Sequence, residues 1–386
     1  MSDKIVLKGI TWNHSRGFVP MVATAQRFSE LNPQVEITWE KRSLQAFADF
    51  SIQQLAKRFD LLVIDHPWAG FAAKTASILP LDQYLSKPYL EDQRNNTVGH
   101  SFESYAYDGH QWALPIDAAT PVASSRPDLL EKNGFKLPES FDDLLQLADK
   151  GLVAFAGIPI DVLMNFYTFC CSLGEDPCQM EDLIVSRDTG IKALQMYREL
   201  ASKIHPDNFK RNPIQVYEAM TLTDSIAYCP FAYGYSNYSR PGYARKLLHF
   251  HDMISLDGEN NLRSTLGGTG LAVSSSSAHI EMAVKYADYV ASSACQQTVF
   301  FENGGQPGHL SAWEDAEVNR KSSDFFANTL PALQRAFLRP RYHGHMFFQD
   351  HAGDIVRDYL MNGGAELKVL ERMNNLYIES RSLVLS

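Results

Sequence analysis

The sequence predicts an α/β protein with more than one domain, and two observations carry that prediction. The first 65 residues alternate between strand and helix patterns in the order β-α-β-α-β, which is typical of a parallel sheet covered by helices. The chain has 386 residues, whereas single hydrophobic cores rarely grow beyond about 250–300 residues. Hydrophobic residues make up 45% of the chain and charged residues 21%, a balance typical of folded globular proteins. We therefore expect two or three domains.

The N-terminal elements follow from periodicity. Strands are expected over 5–10, 35–39 and 59–65, the last as a nearly continuous apolar run that fits a strand buried on both faces. A helix with Pro20 in its first turn is expected to end at Asn32-Pro33, and a second over 44–58. Right-handed crossovers place the loops 11–17 and 65–70 at one carboxyl edge of the sheet. Ligands bind at that edge in open α/β sheets.

Later elements are mostly helical. Ser140 and Asp143 form the pattern of a capping box, and helices are expected to follow at 193–200, 215–222 and 279–293. A short strand is expected over 225–230. The glycine-dense stretch 266–273 predicts a bend that leads into another strand.

Charge and cysteine content exclude several classes. The 35 basic and 45 acidic residues give a net charge of −10, which argues against a nucleic-acid coat or an anionic membrane surface. No apolar run approaches the roughly 20 residues of a membrane span, and no signal peptide is visible at the start. The five cysteines include no Cys-x-x-Cys pair, so we expect small buried thiols and neither a zinc ribbon nor a redox motif.

Six segments occur in a recognisable order. They are Leu-Asn-Pro-Gln-Val-Glu-Ile at 31–37, Phe-Asp-Leu-Leu-Val-Ile-Asp at 59–65, Leu-Pro-Leu-Asp-Gln-Tyr-Leu at 79–85, Tyr-Asp-Gly-His-Gln-Trp-Ala-Leu-Pro at 107–115, Pro-Asp-Leu-Leu-Glu-Lys-Asn-Gly at 127–134 and Gly-Gly-Thr-Gly-Leu-Ala-Val at 267–273. In this order the chain resembles the extracellular solute-binding proteins of bacterial ABC transporters, of the sugar-binding type (family 1), from about residue 5 to 350. His110 departs from the lysine common in that family, and the loop 12–17 is richer in rings and charge.

The resemblance implies a two-lobe periplasmic-binding-protein-like fold, with parallel-sheet lobes joined by hinge strands and the ligand cleft between them. The N-terminal lobe would comprise 1–116 and 269–312, and the C-terminal lobe 117–268 and 313–386. A small polar organic ligand, of the carbohydrate, polyol or sugar acid class, would be captured by hinge closure. The expected partner is an ABC permease in the membrane. No enzyme activity, catalytic residue, cofactor, metal or nucleic acid is expected, and the chain is expected to be a monomer.

The resemblance also implies a periplasmic or extracytoplasmic location. Because no signal peptide is visible, a cytoplasmic location stays open. Three alternatives therefore remain: a cytoplasmic sensor, a metal-dependent module, or an enzyme built on the same two-lobe fold.

Ligand-binding candidates cluster after the first and third predicted strands. In the first loop they are Trp12, Asn13, His14 and Arg16. Arg16 can clamp a carboxylate or a pair of hydroxyls, and Trp12 can stack on a ring, although the loop can equally be solvated with Trp12 filling the core.

At the end of the third strand the candidates are Asp65, His66 and Trp68. Asp65 can accept hydrogen bonds from paired hydroxyls or can cap the next helix instead.

The remaining candidates lie near the expected hinges and in the second lobe: Trp112, Asp117, Tyr233, Tyr235, Gly268 and Thr269. Asp117 can accept from a ligand or form a turn, and the two tyrosines can stack on a ligand or pack in the core. Gly268 and Thr269 allow the backbone to approach a ligand, although the glycines can equally serve the bend alone.

Metal or catalytic chemistry has weaker support. His343 and His345 have a spacing that places two rings on one side of a strand, with Asp350 nearby. His249 and His251 repeat that spacing with no acidic partner beyond Asp252. No HExxH motif, Gly-x-Ser-x-Gly elbow or phosphate-loop lysine occurs in the sequence.

Overall fold

The computed structural model describes residues 4–43, 52–256 and 258–383. The strands are β1 (Ile5–Trp12), β2 (Val35–Arg42), β3 (Leu61–Ile64), β4 (Ala106–Tyr107), β5 (His110–Gln111), β6 (Leu114–Ala119), β7 (Pro121–Ser125), β8 (Tyr228–Tyr233), β9 (His249–His251) and β10 (Gly267–Val273). The first helices are α1 (Ser15–Leu31), α2 (Ile52–Ala56), α3 (Ala69–Thr75), α4 (Lys87–Asn96), α5 (Ser101–Ser104), α6 (Pro127–Lys132), α7 (Phe141–Ala148), α8 (Pro159–Ser172) and α9 (Arg187–Ser202). The later helices are α10 (Pro213–Leu222), α11 (Ile280–Ala291), α12 (Ser293–Cys295), α13 (Leu310–Glu314), α14 (Ala316–Lys321), α15 (Phe325–Gln334), α16 (His345–Asn362) and α17 (Glu366–Arg381).

The chain divides into two compact units. Unit 1 comprises Met1–Ala119, Gly267–Arg320 and Arg341–His343, and unit 2 comprises Thr120–Leu266, Lys321–Pro340 and Gly344–Ser386. Each unit is therefore assembled from separate stretches of chain.

Unit 1 is built on a five-stranded sheet with the order β2-β1-β3-β10-β6. β1 runs parallel to β2 and to β3, as the β-α-β-α-β pattern predicts. β10 runs antiparallel to both β3 and β6, so the sheet is mixed. The core of this unit includes Leu7, Phe28, Val63, Leu271 and Tyr286.

All five tryptophans of the chain lie in unit 1 and are buried. They are Trp12, Trp39, Trp68, Trp112 and Trp313.

Several N-terminal boundaries differ from the predicted ones. β1 continues to Trp12 and α1 begins at Ser15, so the loop expected over 11–17 is much shorter and Arg16 lies in the first turn of α1. Pro20 lies inside α1 and not in its first turn, because the side chain of His14 caps the helix earlier. Of the helix expected over 44–58, only α2 lies within the described residues, since 44–51 are outside them.

Unit 2 contains a three-stranded sheet with the order β8-β7-β9, in which both pairings are antiparallel. The parallel sheet expected in both lobes is therefore wrong for the described strands of this unit. β8 begins at Tyr228, three residues later than the strand expected from 225. Ser140 caps α7 in a capping box with Asp143, as predicted.

α8 is the central helix of unit 2, and eleven of its residues are buried. It packs against α9 and α16. Aromatic rings of Phe155, Phe169, Tyr197 and Phe231 pack together beside it with centroids 5.3–6.3 Å apart.

The cysteines, all of which lie in the described chain, are free thiols. Cys170, Cys171, Cys229 and Cys295 are buried as expected, and Cys178 is half-buried. Among the described residues no helix is both long and apolar enough to cross a membrane.

Candidate functional site

Arg16 and Asp117 form a buried ion pair in unit 1. The Arg16 Nε atom donates to Asp117 Oδ2 at 2.8 Å, and Nη2 donates to Oδ1 at 2.5 Å. Their side chains are only 4% and 1% exposed. Burial raises the pKa of Asp117, while the charge and hydrogen bonds of Arg16 act against that rise. Arg16 thus clamps a carboxylate, as its chemistry predicts, and in this structure the carboxylate belongs to the protein.

The residues before Arg16 connect β1 to α1. His14 accepts a hydrogen bond from the Arg16 backbone N–H at 3.0 Å through Nδ1, and it is the N-cap of α1. Burial, followed by the charge of Arg16, lowers the pKa of His14 to about 4, so the ring is a neutral acceptor at pH 7. Trp12 belongs to the hydrophobic core, where a Cβ on Gly17 would lie 2.3 Å from its ring. Asn13 is exposed.

Asp65, His66 and Trp68 form a short turn at the end of β3. Asp65 Oδ1 accepts from the His66 backbone N–H at 2.8 Å, which is the capping alternative predicted for this residue. His66 is fully buried, and Trp68 packs edge-on against Phe71 with centroids 5.3 Å apart. The Asp65 side chain keeps 24% exposure and can accept further hydrogen bonds.

Gly268 and Thr269 lie on β10 directly beside β6, where Thr269 is the register partner of Asp117. Gly268 has a φ of +101°, and a Cβ there would lie 2.3 Å from the Asp117 carbonyl oxygen. Glycine is therefore required for strand pairing at this position. Thr269 is 6% exposed, and its hydroxyl has no hydrogen-bond partner among the described residues. A buried hydroxyl without a partner is rare in folded proteins, and this one keeps its capacity to donate and to accept a hydrogen bond.

The pairing of β10 with β6 and the ion pair of Arg16 with Asp117 thus bring four predicted residues of unit 1 together: Arg16, Asp117, Gly268 and Thr269. Trp112 has a different environment, because it is buried and its Nε1 donates to the Tyr107 carbonyl at 2.9 Å. Its observed contact stabilises the β4–β5 hairpin.

The two predicted tyrosines of unit 2 differ in exposure. Tyr233 ends β8, is half-buried, and shares a hydrogen bond of 2.9 Å with the Thr265 hydroxyl. Tyr235 is 6% exposed and lies near Tyr217, with ring centroids 6.3 Å apart. The ring of Tyr233 is therefore the more accessible of the two.

Asp161 is a buried carboxyl in unit 2 that the sequence did not reveal. It lies in the first turn of α8 and is 6% exposed. Its Oδ2 atom has no hydrogen-bond partner among the described residues, and burial raises its pKa to about 8. An aspartate in the first turn of a helix is common on protein surfaces, so the sequence carries no signal for its burial.

The metal alternative finds no support in the described part of the chain. His343 lies in a turn and His345 begins α16, so the shared strand expected for these two histidines is wrong. His251 Nε2 is instead 2.8 Å from the Ser125 hydroxyl. No group of three or more histidine, cysteine or acidic side chains could hold a metal ion among the described residues.

Sequence comparison finds similarity to known proteins in the N-terminal part of the chain. Residues 11–160 match the family model described as bacterial extracellular solute-binding protein. A maltotriose-binding protein from Pyrococcus abyssi is 25% identical over 127 residues, which cover 33% of this chain and 26% of that protein.

Solved structures with a similar fold cover nearly the whole chain. The maltose-bound MalE3 of T. maritima has a TM-score of 0.84 at 17% identity, covering 97% of this chain and 100% of that one. A ribitol complex of an ABC transporter solute-binding protein from Agrobacterium radiobacter K84 has a TM-score of 0.81 at 18% identity, covering 99% of each chain. The maltotriose complex of the Thermus thermophilus maltotriose-binding protein has a TM-score of 0.76 at 17% identity, covering 98% and 100%. At these identities the likeness shows the two-lobe periplasmic-binding-protein fold.

The resemblance predicted from sequence is confirmed, because residues 11–160 carry the pattern of the bacterial extracellular solute-binding proteins and the fold of the ABC solute-binding proteins extends over nearly the whole chain.

Proposed function

We propose that the chain captures a small carbohydrate or polyol and delivers it to an ABC permease. The observation that carries this proposal is the fold likeness over 97–99% of the chain to proteins described with maltose, ribitol and maltotriose, joined to the family match at residues 11–160. Their described role is binding, so no conversion of the ligand is expected.

The chemistry of unit 1 supports a neutral ligand over a sugar acid. The guanidinium that would best recognise a ligand carboxylate is that of Arg16, and it already holds Asp117 in two hydrogen bonds. A sugar hydroxyl both donates and accepts, and it therefore suits the Thr269 hydroxyl and the partly exposed Asp65 carboxylate. We accordingly favour a carbohydrate or polyol.

A thermal-shift panel tests this proposal, with maltose, maltotriose, ribitol, mannitol, tagatose and gluconate as its members. A ligand at 100 times its dissociation constant stabilises the folded state by about 2.7 kcal/mol, which is a clear rise in melting temperature. Calorimetric titration then gives the affinity, and mass spectrometry of the recovered ligand checks that it is unchanged. If no neutral sugar or polyol raises the melting temperature, the ligand class is wrong.

The partner and the location belong to the same proposal. Delivery to a permease requires an extracytoplasmic protein, and fractionation of source cells with antibody detection tests that location. Small-angle scattering with and without ligand tests hinge closure, which is expected to reduce the radius of gyration. Light scattering after size exclusion tests the expected monomer. A cytoplasmic protein without any effect of sugar would favour the sensor alternative.

A further inference from the structure

An open pocket of about 400 Å³ lies within unit 1 and is lined by none of the ligand-binding candidates above. Its lining residues are Gly70, Ala73, Lys74, Tyr107, Asp108 and His343. The volume is within the range of about 300–1,000 Å³ found for small-molecule sites. The pocket thus has the size of a second binding site.

The lining residue His343 ends a three-residue segment of unit 1, Arg341–His343, which we call the strap. The Arg341 Nη1 atom donates to the carbonyl oxygens of Glu103 and Ala106, beside the β4–β5 hairpin. On the other side the strap runs close to α3, where a Cβ on Gly70 would lie 1.7 Å from the Arg341 carbonyl oxygen. The strap can pass this closely only because residue 70 is glycine.

The side chains in the pocket retain unused binding capacity. The ring of His343 stacks on Phe71 with centroids 5.4 Å apart and planes at 18°, and its Nδ1 atom is buried without a hydrogen-bond partner in the described chain. Lys74 is exposed, and no ion pair joins it to Asp108, the other charged residue of the lining. A buried imidazole nitrogen and an exposed ammonium group therefore line the same space.

Two residues of opposite charge, Lys74 and Asp108, line the pocket. Lys74 lies on α3 and shares the pocket lining with His343, whose pKa is lowered first by burial and then by the charge of Lys74. Asp108 lies at the tip of the β4–β5 hairpin with a φ of +51° and is exposed. Lys74 and Asp108 thus line the pocket from two different elements, α3 and the β4–β5 hairpin.

We propose that this pocket binds a small anion through a carboxylate or phosphate group, with Lys74 as its ionic partner and His343 and Tyr107 as its hydrogen-bond partners. An anion there compensates the charge of Lys74 and satisfies the imidazole. Asp108 weakens the binding by repulsion. The proposal does not rest on carbohydrate capture.

Two substitutions with opposite expected effects test whether the ligand carries a negative charge. Calorimetric titration of the full chain with inorganic phosphate, and separately with citrate, is expected to show saturable binding. Lys74→Met should weaken it at least tenfold, and Asp108→Asn should tighten it by about threefold. Asparagine tolerates the left-handed backbone of residue 108, so that variant keeps its fold. Lys87→Met, at an exposed lysine that does not line the pocket, is the matched control and should change nothing.

Absence of saturable binding, or an Asp108→Asn variant that binds more weakly, overturns the proposal. A second readout uses the imidazole proton signals of His343, assigned by their loss in His343→Gln. Bound phosphate or citrate is expected to raise the pKa of this ring, and an unchanged titration also overturns the proposal. If the protein binds phosphate at this pocket but binds no sugar, the anion site is supported and the proposed function is contradicted. The failure of one proposal is therefore distinguishable from the failure of the other.

Discussion

Asp117 in unit 1 and Asp161 in unit 2 are both buried, with exposures of 2% and 6%, but they differ in their partners. Asp117 accepts two hydrogen bonds from the Arg16 guanidinium, whereas the Oδ2 atom of Asp161 has no partner among the described residues. Because both Asp117 oxygens accept, this carboxylate is ionised, and Asp161 retains its proton up to about pH 8. Burial alone therefore does not decide the charge of a carboxyl group, and the presence of a cationic partner does.

The largest expected effect comes from breaking the unit 1 pair. Arg16→Met leaves Asp117 buried without a cation, and we expect a loss of about 3–5 kcal/mol in the free energy of unfolding. Urea denaturation at pH 7 measures it. Adding Asp117→Asn to that variant should restore part of the loss, because no uncompensated charge remains. A loss below about 1 kcal/mol in the single variant would mean that the pair contributes little.

The buried carboxyl of Asp161 in unit 2 predicts that the stability of the chain depends on pH, because this group is stabilised by its proton and not by a cation. The pKa of Asp161 is about 8 in the folded chain and near 4 when unfolded, so its stabilising proton is fully effective below pH 4 and is lost as the pH rises through 8. From pH 5 to pH 8 we expect this group to cost on the order of 3 kcal/mol. Asp161→Asn should remove that dependence in denaturant titrations across this pH range. An identical pH profile in the variant would show that Asp161 keeps a partner.

Two buried threonines of unit 1 extend the comparison to neutral groups. The Thr24 hydroxyl is bonded to the Met21 carbonyl and to Tyr286, whereas the Thr269 hydroxyl has no partner in the described chain. Thr24→Val should therefore cost about 1–3 kcal/mol and leave sugar affinity unchanged.

Thr269→Val should leave stability unchanged or raised, because no hydrogen bond within the protein is lost. Its sugar affinity, measured by calorimetry, should fall about tenfold. If both variants lose stability and neither loses affinity, Thr269 is a structural residue.

The smallest effect is expected at the cap of α1. His14→Ala removes an N-cap and should cost about 1 kcal/mol at pH 7, whereas His14→Asn should retain the cap. The pKa of His14 is about 4 in the folded chain and near 6.5 when unfolded, so its contribution is present above pH 6.5 and is lost as the pH falls through 4. Denaturation of both variants at pH 7 and pH 4 measures this. An equal cost at both values would contradict a neutral cap.

The local sequence pattern was sufficient to predict those elements whose structure depends on neighbouring residues. The strands β1 and β3, the capping box at Ser140 and the position of α11 all follow from periodicity or spacing within a few residues. The parallel pairing of β1 with β3 then brings the ends of two strands to one edge of the sheet, as the crossover rule predicts.

Contacts between residues that lie far apart in the sequence could not be predicted from local patterns. Arg16 and Asp117 are separated by 101 positions, and each was predicted to face a ligand because its own surroundings did not reveal the other. The direction of β10 depends on how a remote segment enters the sheet, which periodicity does not encode. The burial of Asp161 depends likewise on the packing of α8 against α9 and α16.

The confinement of all five tryptophans to unit 1 makes the two units optically distinct. Indole emission reports only on unit 1, while far-ultraviolet circular dichroism reports on the helices of both. Superimposable denaturation curves from the two signals would mean that the units unfold as one cooperative system, and separated curves would give each its own stability. The native chain therefore carries an intrinsic spectroscopic label on one of its units.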